Sequence, residues 1–216
     1  MAGNVTNRAK PRFDLRLGVL AVQGDVSEHE RALSSALLAE GLRGSVAPVR
    51  TPADLDLVDG LAMPGGESTA ISRLLVASGL HDRLVARARD EGLPLLATCA
   101  GLILAAKEGD RQVSDTRTRL LGLLDLAVDR NAFGRQRESF EASVDLAGLG
   151  SVPAAFIRAP AIVRTWGACE PWGLLGKTIV AARQGNVLGL CFHPELTGDL
   201  RVHRHFVQTC ARWKRA

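Results

Sequence analysis

Short apolar runs alternate along the chain with longer segments whose apolar residues recur at helical spacing. Leu15 to Val22 is mostly apolar and ends at Gln23-Gly24-Asp25, which predicts a buried strand running into a tight turn. From Val26 to Glu40, Leu33, Ala36 and Leu37 recur at helical spacing beside Glu28, Glu30 and Arg31, which predicts a helix with one buried and one solvated face. Ser45 to Arg50 reads as a second strand. Val58 to Met63 reads as a third, stopped by Pro64-Gly65-Gly66, with helical patterns over Thr69 to Leu80 and His81 to Glu91. Leu93 to Thr98 is the fourth; it runs into Cys99 and then into the apolar Ala100 to Ala106, the next predicted helix. Strands alternating with helices imply an α/β fold: a mostly parallel sheet covered on both faces, in three α/β/α layers.

The second half changes character. Leu124 to Val128, Phe140 to Leu146, Ala154 to Ile157 and Thr178 to Ala182 are short β-like runs with little helical pattern between them, so a hairpin-rich region is expected. Arg183-Gln184-Gly185-Asn186 reads as the turn into Val187 to Phe192, and an amphipathic helix from about Asp199 to Trp213 closes the chain.

Composition narrows this picture. At 216 residues, with no interior stretch rich enough in Pro, Ser or charge to mark a linker, the expectation is one domain over residues 15–216 behind a flexible basic extension over 1–14. The formal charge of +4 resides in the tails: Arg8, Lys10 and Arg12 at one end, Arg212, Lys214 and Arg215 at the other. The body is close to neutral and poor in aromatics, which argues against a nucleic-acid partner. Residues 1–13 lack an apolar targeting core and no apolar run approaches the roughly 20 residues of a membrane span. Cys99, Cys169, Cys191 and Cys210 show neither zinc-site nor dithiol spacing, so a reducing cytoplasm and no metal are expected.

Three strand ends carry candidate chemistry. In Leu95-Leu96-Ala97-Thr98-Cys99-Ala100-Gly101 a buried strand delivers a thiol onto a turn that opens a helix, and the small flanks Ala97 and Gly101 permit a sharp bend. A helix N-terminus favours an anion, which suits a nucleophile that acts as thiolate. From this segment alone, a buried and inert cysteine remains open, because free cysteines are commonly core residues. His193-Pro194-Glu195 follows another strand. In a parallel sheet the strand ends share one edge, so His193 can reach Cys99 as its base and Glu195 can orient the imidazole. Alone, the histidine reads better as a helix cap or a surface partner of Glu195. Pro64-Gly65-Gly66-Glu67-Ser68 ends a third strand, where two glycines allow a backbone N–H to point at a developing oxyanion, though such turns are often merely turns.

Together these features resemble the class I glutamine amidotransferases, whose Cys, His and Glu have the last two spaced H-x-E. Within that class the likeness is to the glutaminase subunits of pyridoxal 5'-phosphate synthase. It rests on five blocks in order: Pro64-Gly65-Gly66-Glu67-Ser68-Thr69, Thr98-Cys99-Ala100-Gly101-Leu102-Ile103, Arg130-Asn131-Ala132-Phe133-Gly134-Arg135-Gln136, Phe156-Ile157-Arg158-Ala159-Pro160 and Phe192-His193-Pro194-Glu195-Leu196-Thr197. Departures are confined to the residues before Arg16 and the loop Gly109 to Thr118.

The resemblance implies a flavodoxin-like domain and a triad of Cys99, His193 and Glu195. It implies an oxyanion hole at the N–H groups of Gly66 and Ala100, and L-glutamine bound by Gly66, Glu67, Ser68, Arg130, Ile157 and Arg158. Reading the residues alone, either arginine serves an ion pair as readily as a substrate carboxylate. The implied partner is a synthase subunit that builds pyridoxal 5'-phosphate from ribose 5-phosphate, glyceraldehyde 3-phosphate and ammonia. That cofactor is then product, and the chain itself needs none. Dependence of the glutaminase on docking to that partner is implied as well.

Overall fold

The computed structural model describes residues 14–130 and 139–216. Except for Asp14, the expected N-terminal extension lies outside the described residues, as do Asn131, Ala132, Phe133, Gly134, Arg135 and Gln136.

The first half winds strand by helix: β1 (Leu15–Leu20), α1 (Val26–Ala39), β2 (Gly44–Val49), α2 (Pro52–Asp56), β3 (Gly60–Met63), α3 (Ser68–Ala77), α4 (Leu80–Asp90), β4 (Leu95–Thr98) and α5 (Ala100–Ala105). Every residue of β3 and β4 is buried, and in β1 only Arg16 faces out, as expected for strands covered on both faces. Pro48 is tolerated in β2 because this strand lies at the sheet edge. Helix α2 was not expected from periodicity, being only five residues long. Its start is nonetheless encoded: Thr51 Oγ1 accepts from the Asp54 N–H at 3.2 Å, the Asp54 carboxylate accepts from the Thr51 N–H at 2.9 Å, and Pro52 opens the first turn.

The second half is mostly strand: β5 (Ala106–Gly109), a short α6 (Arg111–Asp115), β6 (Leu124–Asp129), β7 (Ser139–Leu146), β8 (Gly150–Ile157), β9 (Ala161–Thr165), β10 (Glu170–Leu175), β11 (Thr178–Gln184) and β12 (Val187–Leu190). A 3-10 turn over Pro194–Leu196 leads to α7 (Arg201–Trp213). Three strands escaped the pattern. Ala106 begins β5 instead of ending the preceding helix, and β9 and β10 are too short and too mixed in polarity to alternate cleanly. The Gly185-Asn186 turn is as expected, joining Gln184 to its partner Val187 with Gly185 at φ 56°.

Strands run in the order β2-β1-β3-β4-β12-β11-β10-β7-β8. The first five are mutually parallel, the 2-1-3-4-5 arrangement of the flavodoxin-like doubly wound fold. Beyond β12 the sheet turns antiparallel, and a side ribbon of β5, β6 and β9 joins it through β11. Parallel strands share an edge at their carboxyl ends, so Gln23, Gly65-Gly66, Cys99 and His193 all emerge at the same place. The long hairpin of β7 and β8 bends over that edge: the His193 N–H donates to Ala155 O at 2.8 Å.

Candidate active site

Cys99 occupies the junction of β4 and α5 with φ 49° and ψ −105°, a conformation L-residues adopt only under constraint. The constraint is visible on both sides. Its N–H donates to Leu190 O at 2.8 Å, which locks the turn to β12, and its carbonyl accepts from Ile103 N at 3.1 Å, which starts α5. A Cβ at residue 101 would lie 2.3 Å from Met63 O, so only glycine lets α5 sit this close to β3. The thiol, 8% exposed, opens into a cleft of about 650 Å³ and lies 3.9 Å from Ile157 O.

His193 stacks over the Gly65 backbone so closely that a Cβ there would meet the imidazole Cε1 at 2.4 Å. Its Nδ1 lies 2.7 Å from Glu195 Oε1, and the Glu195 side chain is fully buried behind it. Asp25, on the turn after β1, places Oδ2 3.9 Å from the same Nδ1. Burial pulls the imidazole pKa down, but Cys99 on one side and Glu195 on the other outweigh it and raise His193 to about 10. The carboxyl of Glu195 moves the other way: burial raises it, and His193 and His29 together hold it well below the usual range. Burial pushes Cys169 up to about 11 and raises Cys191 and Cys210 well above the ordinary thiol range, so the other three thiols are kept protonated away from the cleft.

Of the remaining expected residues, Gly66, Glu67, Ser68, Arg130, Ile157 and Arg158 line the same cleft. Gly66 stands at φ 143°, a region closed to side chains, and the next N–H, that of Glu67, donates to Gln23 Oε1 at 3.0 Å. Ala100, with 1% exposure, forms the first residue of α5 beneath the thiol. Glu67 caps α3: its carboxylate accepts from Thr69 N at 2.9 Å and Ala70 N at 2.6 Å. Arg130 pairs with that carboxylate at 3.2 Å. Partial burial raises the Glu67 pKa, yet the two helix N–H groups and Arg130 outweigh it and bring it below normal. Arg158 shares with Cys99 a positive φ, 44°, immediately after β8.

Sequence reasoning missed Gln23, Asp25 and His29. His29 Nε2 lies 3.3 Å from Glu195 Oε1 and 3.1 Å from Thr98 Oγ1, all buried. The available signal was its position one turn before Leu33 on the buried stripe of α1. Among the described residues, two groups could hold a metal ion, His29 with Glu195 and His203, and Asp25 with His193 and Glu195. Both depend on Glu195, whose Oε1 is engaged by two imidazoles.

A thiol on a strained elbow, facing an imidazole held by a buried carboxylate on the adjacent strand end of a 2-1-3-4-5 sheet, is the architecture of class I glutamine amidotransferases. Comparison with known proteins carries this further. The SNO glutamine amidotransferase family matches residues 19–212, and the chain belongs to that family. It is 49% identical over 194 residues to the pyridoxal 5'-phosphate synthase subunit PdxT of Archaeoglobus fulgidus, covering 90% of this chain and 98% of that one. With the subunit of the same description from Staphylothermus marinus the identity is 47% over 205 residues, covering 90% and 98%. A crystal structure described as a glutamine amidotransferase superposes with a TM-score of 0.80 at 42% identity, covering 90% of this chain and 98% of the other. A glutamine amidotransferase of Thermotoga maritima, 12% identical with a TM-score of 0.58, shares the fold.

Proposed function

We propose that this chain is the glutaminase subunit of a pyridoxal 5'-phosphate synthase, hydrolysing L-glutamine and delivering the ammonia to a synthase subunit. The observation that carries the reading is the buried Cys99–His193–Glu195 line opening into a cleft rimmed by Glu67, Arg130 and Arg158.

Cys99 Sγ attacks the carboxamide carbon of glutamine, and the carbonyl electron pair moves to oxygen, where the N–H groups of Gly66 and Ala100 receive it. His193 already holds the proton that the Cys99 thiol has given up and passes it to the departing nitrogen, so ammonia leaves and a γ-glutamyl thioester remains. Water, losing its proton to His193, then attacks the thioester and releases glutamate and the thiolate. Glu195 fixes the imidazole tautomer and stabilises its charge.

A free amino acid brings one carboxylate and one ammonium group. Arg130 and Arg158 suit the first and Glu67 the second, with Ser68 and the Ile157 backbone completing the wall. The Glu67–Arg130 pair is the substrate's stand-in: each charge holds the other until a zwitterion separates them. The partner assignment is supported by relatives described as subunits of pyridoxal 5'-phosphate synthase. Cytoplasmic placement belongs to the same reading, and no helix among the described residues is long and apolar enough to cross a membrane. Docking turns the enzyme on by orienting the Gly66 peptide toward the oxyanion, a donor whose loss typically costs about 100- to 1,000-fold.

The test is glutamate release at saturating glutamine across a titration of the synthase subunit. The expected result is a nearly silent free chain and turnover that rises to saturation. No glutamate at any ratio refutes the function, and full turnover by the free chain refutes the gating.

A further inference from the structure

His29 is fully buried on the inner face of α1, and of its two nitrogens only Nε2 has hydrogen-bond partners among the described residues. Thr98 Oγ1 lies 3.4 Å from Met63 O, which can only accept, so the hydroxyl hydrogen is directed there and the oxygen is left to accept from His29. The other atom facing His29 Nε2 is a carboxylate oxygen, Glu195 Oε1. Two acceptors fix the proton on Nε2, and one N–H is shared between them. Glu195 Oε1 therefore receives His193 Nδ1–H from the cleft side and His29 Nε2–H from behind.

The second carboxylate oxygen, Oε2, has no hydrogen-bond partner among the described residues, so the orientation of Glu195 rests on Oε1. His203, packed 5.8 Å from His29 between ring centres, supplies no competing charge: burial and the neighbouring His29 lower it to about 3. Thr98 directly precedes Cys99. The shared N–H thus ties the end of β4, which aims the thiol, to the carboxylate after β12, which aims the base.

We propose that His29 is a positioning residue of the reaction, a fourth member that locks Glu195 and registers the His193 imidazole against Cys99. The proposal rests on the glutaminase reading and adds to it a residue that never touches substrate. Its effect belongs on turnover, because misplacing a base slows chemistry without weakening the contacts that hold glutamine.

Three variants separate reach from polarity. His29→Gln puts an amide N–H near the Nε2 position, His29→Asn is polar but too short, and His29→Leu removes the donor. In the complex with the synthase subunit, Asn and Leu should lower kcat about tenfold with KM within about twofold, while Gln stays within about threefold of wild type. In a Glu195→Gln background His29→Leu should cost less than about twofold more, because residues acting through one another are non-additive. Should the Leu variant fail to fold, the Gln and Asn pair decides. Equal kcat in all variants, a loss confined to KM, or losses that multiply with Glu195→Gln would overturn the proposal. A wild-type complex that releases no glutamate sinks the glutaminase reading alone. The hydrogen-bonded Nδ1 proton of His193, followed by NMR in the free chain, then decides: retention in wild type and His29→Gln with loss in His29→Asn supports positioning, and equal behaviour in all three contradicts it.

Discussion

The inner wall of the cleft and its rim are both built from charged side chains, yet they sit in different electrical worlds. Glu195, His29 and His193 are almost wholly enclosed, and there the protonation of Glu195 and His193 is set by their neighbours. Glu67 at the rim is 54% exposed, and its pairing with Arg130 is screened by water. On the proposed reading this is a division of labour: the wall prepares charge for chemistry, and the rim exchanges partners cheaply, as a binding site for a zwitterion must.

Substitutions should split along that line. Cys99→Ala abolishes glutamate release, and His193→Asn lowers kcat by at least about 1,000-fold. Glu195→Gln costs less, since it alters only the tautomer and charge of the base. Steady-state kinetics in the complex check the order; a Glu195 variant worse than the His193 variant would break it.

The wall should also write itself into stability. His193 is raised to about 10 from an ordinary 6.5, so its pairing contributes fully below pH 6.5 and is lost as pH climbs toward 10. The stability gap between wild type and His193→Asn, measured by denaturant unfolding, should therefore shrink over that window by a few kcal/mol. At the acid end the sign reverses for Glu195: its depressed pKa adds stability above about 4.5 that fades as pH falls further. A gap independent of pH would mean the buried pairing is not charged.

Rim changes should be milder. Arg130→Gln and Arg158→Gln raise KM for glutamine roughly tenfold with kcat within a few-fold, the size expected for one charge-assisted contact. A fall in kcat at constant KM would move these arginines from binding to chemistry. Smallest of all, Glu67→Ala should cost about 1 kcal/mol of stability through loss of the α3 cap, with little from the exposed ion pair.

What was legible from sequence follows the same boundary between order and exposure. Fully buried parallel strands announce themselves as apolar runs, and each ends where the chain needs an unusual residue: Gly65-Gly66, Cys99, His193. The shared strand edge then brought these residues together without further information. Strands β9 and β10 were hidden because one face is solvated over only five or six residues, too short for alternation to register. His29 was hidden for a different reason. A lone histidine on an apolar stripe looks like any packed residue until Thr98 and Glu195, 69 and 166 positions away, are placed against it. The role of Arg130 was likewise left open between a substrate contact and an ion pair, and the structure pairs it with Glu67.

On the proposed reading Cys99 alone forms a covalent γ-glutamyl bond, with the other thiols locked as buried, protonated core groups. The direct measurement is peptide mapping by mass spectrometry after exposing the complex to a glutamine analogue that alkylates the attacking thiol. One adduct is expected, on the peptide containing Cys99, abolished by Cys99→Ala and strongly slowed by His193→Asn. An adduct on Cys191 that persists in Cys99→Ala, or no adduct while glutamate is still released, would contradict it.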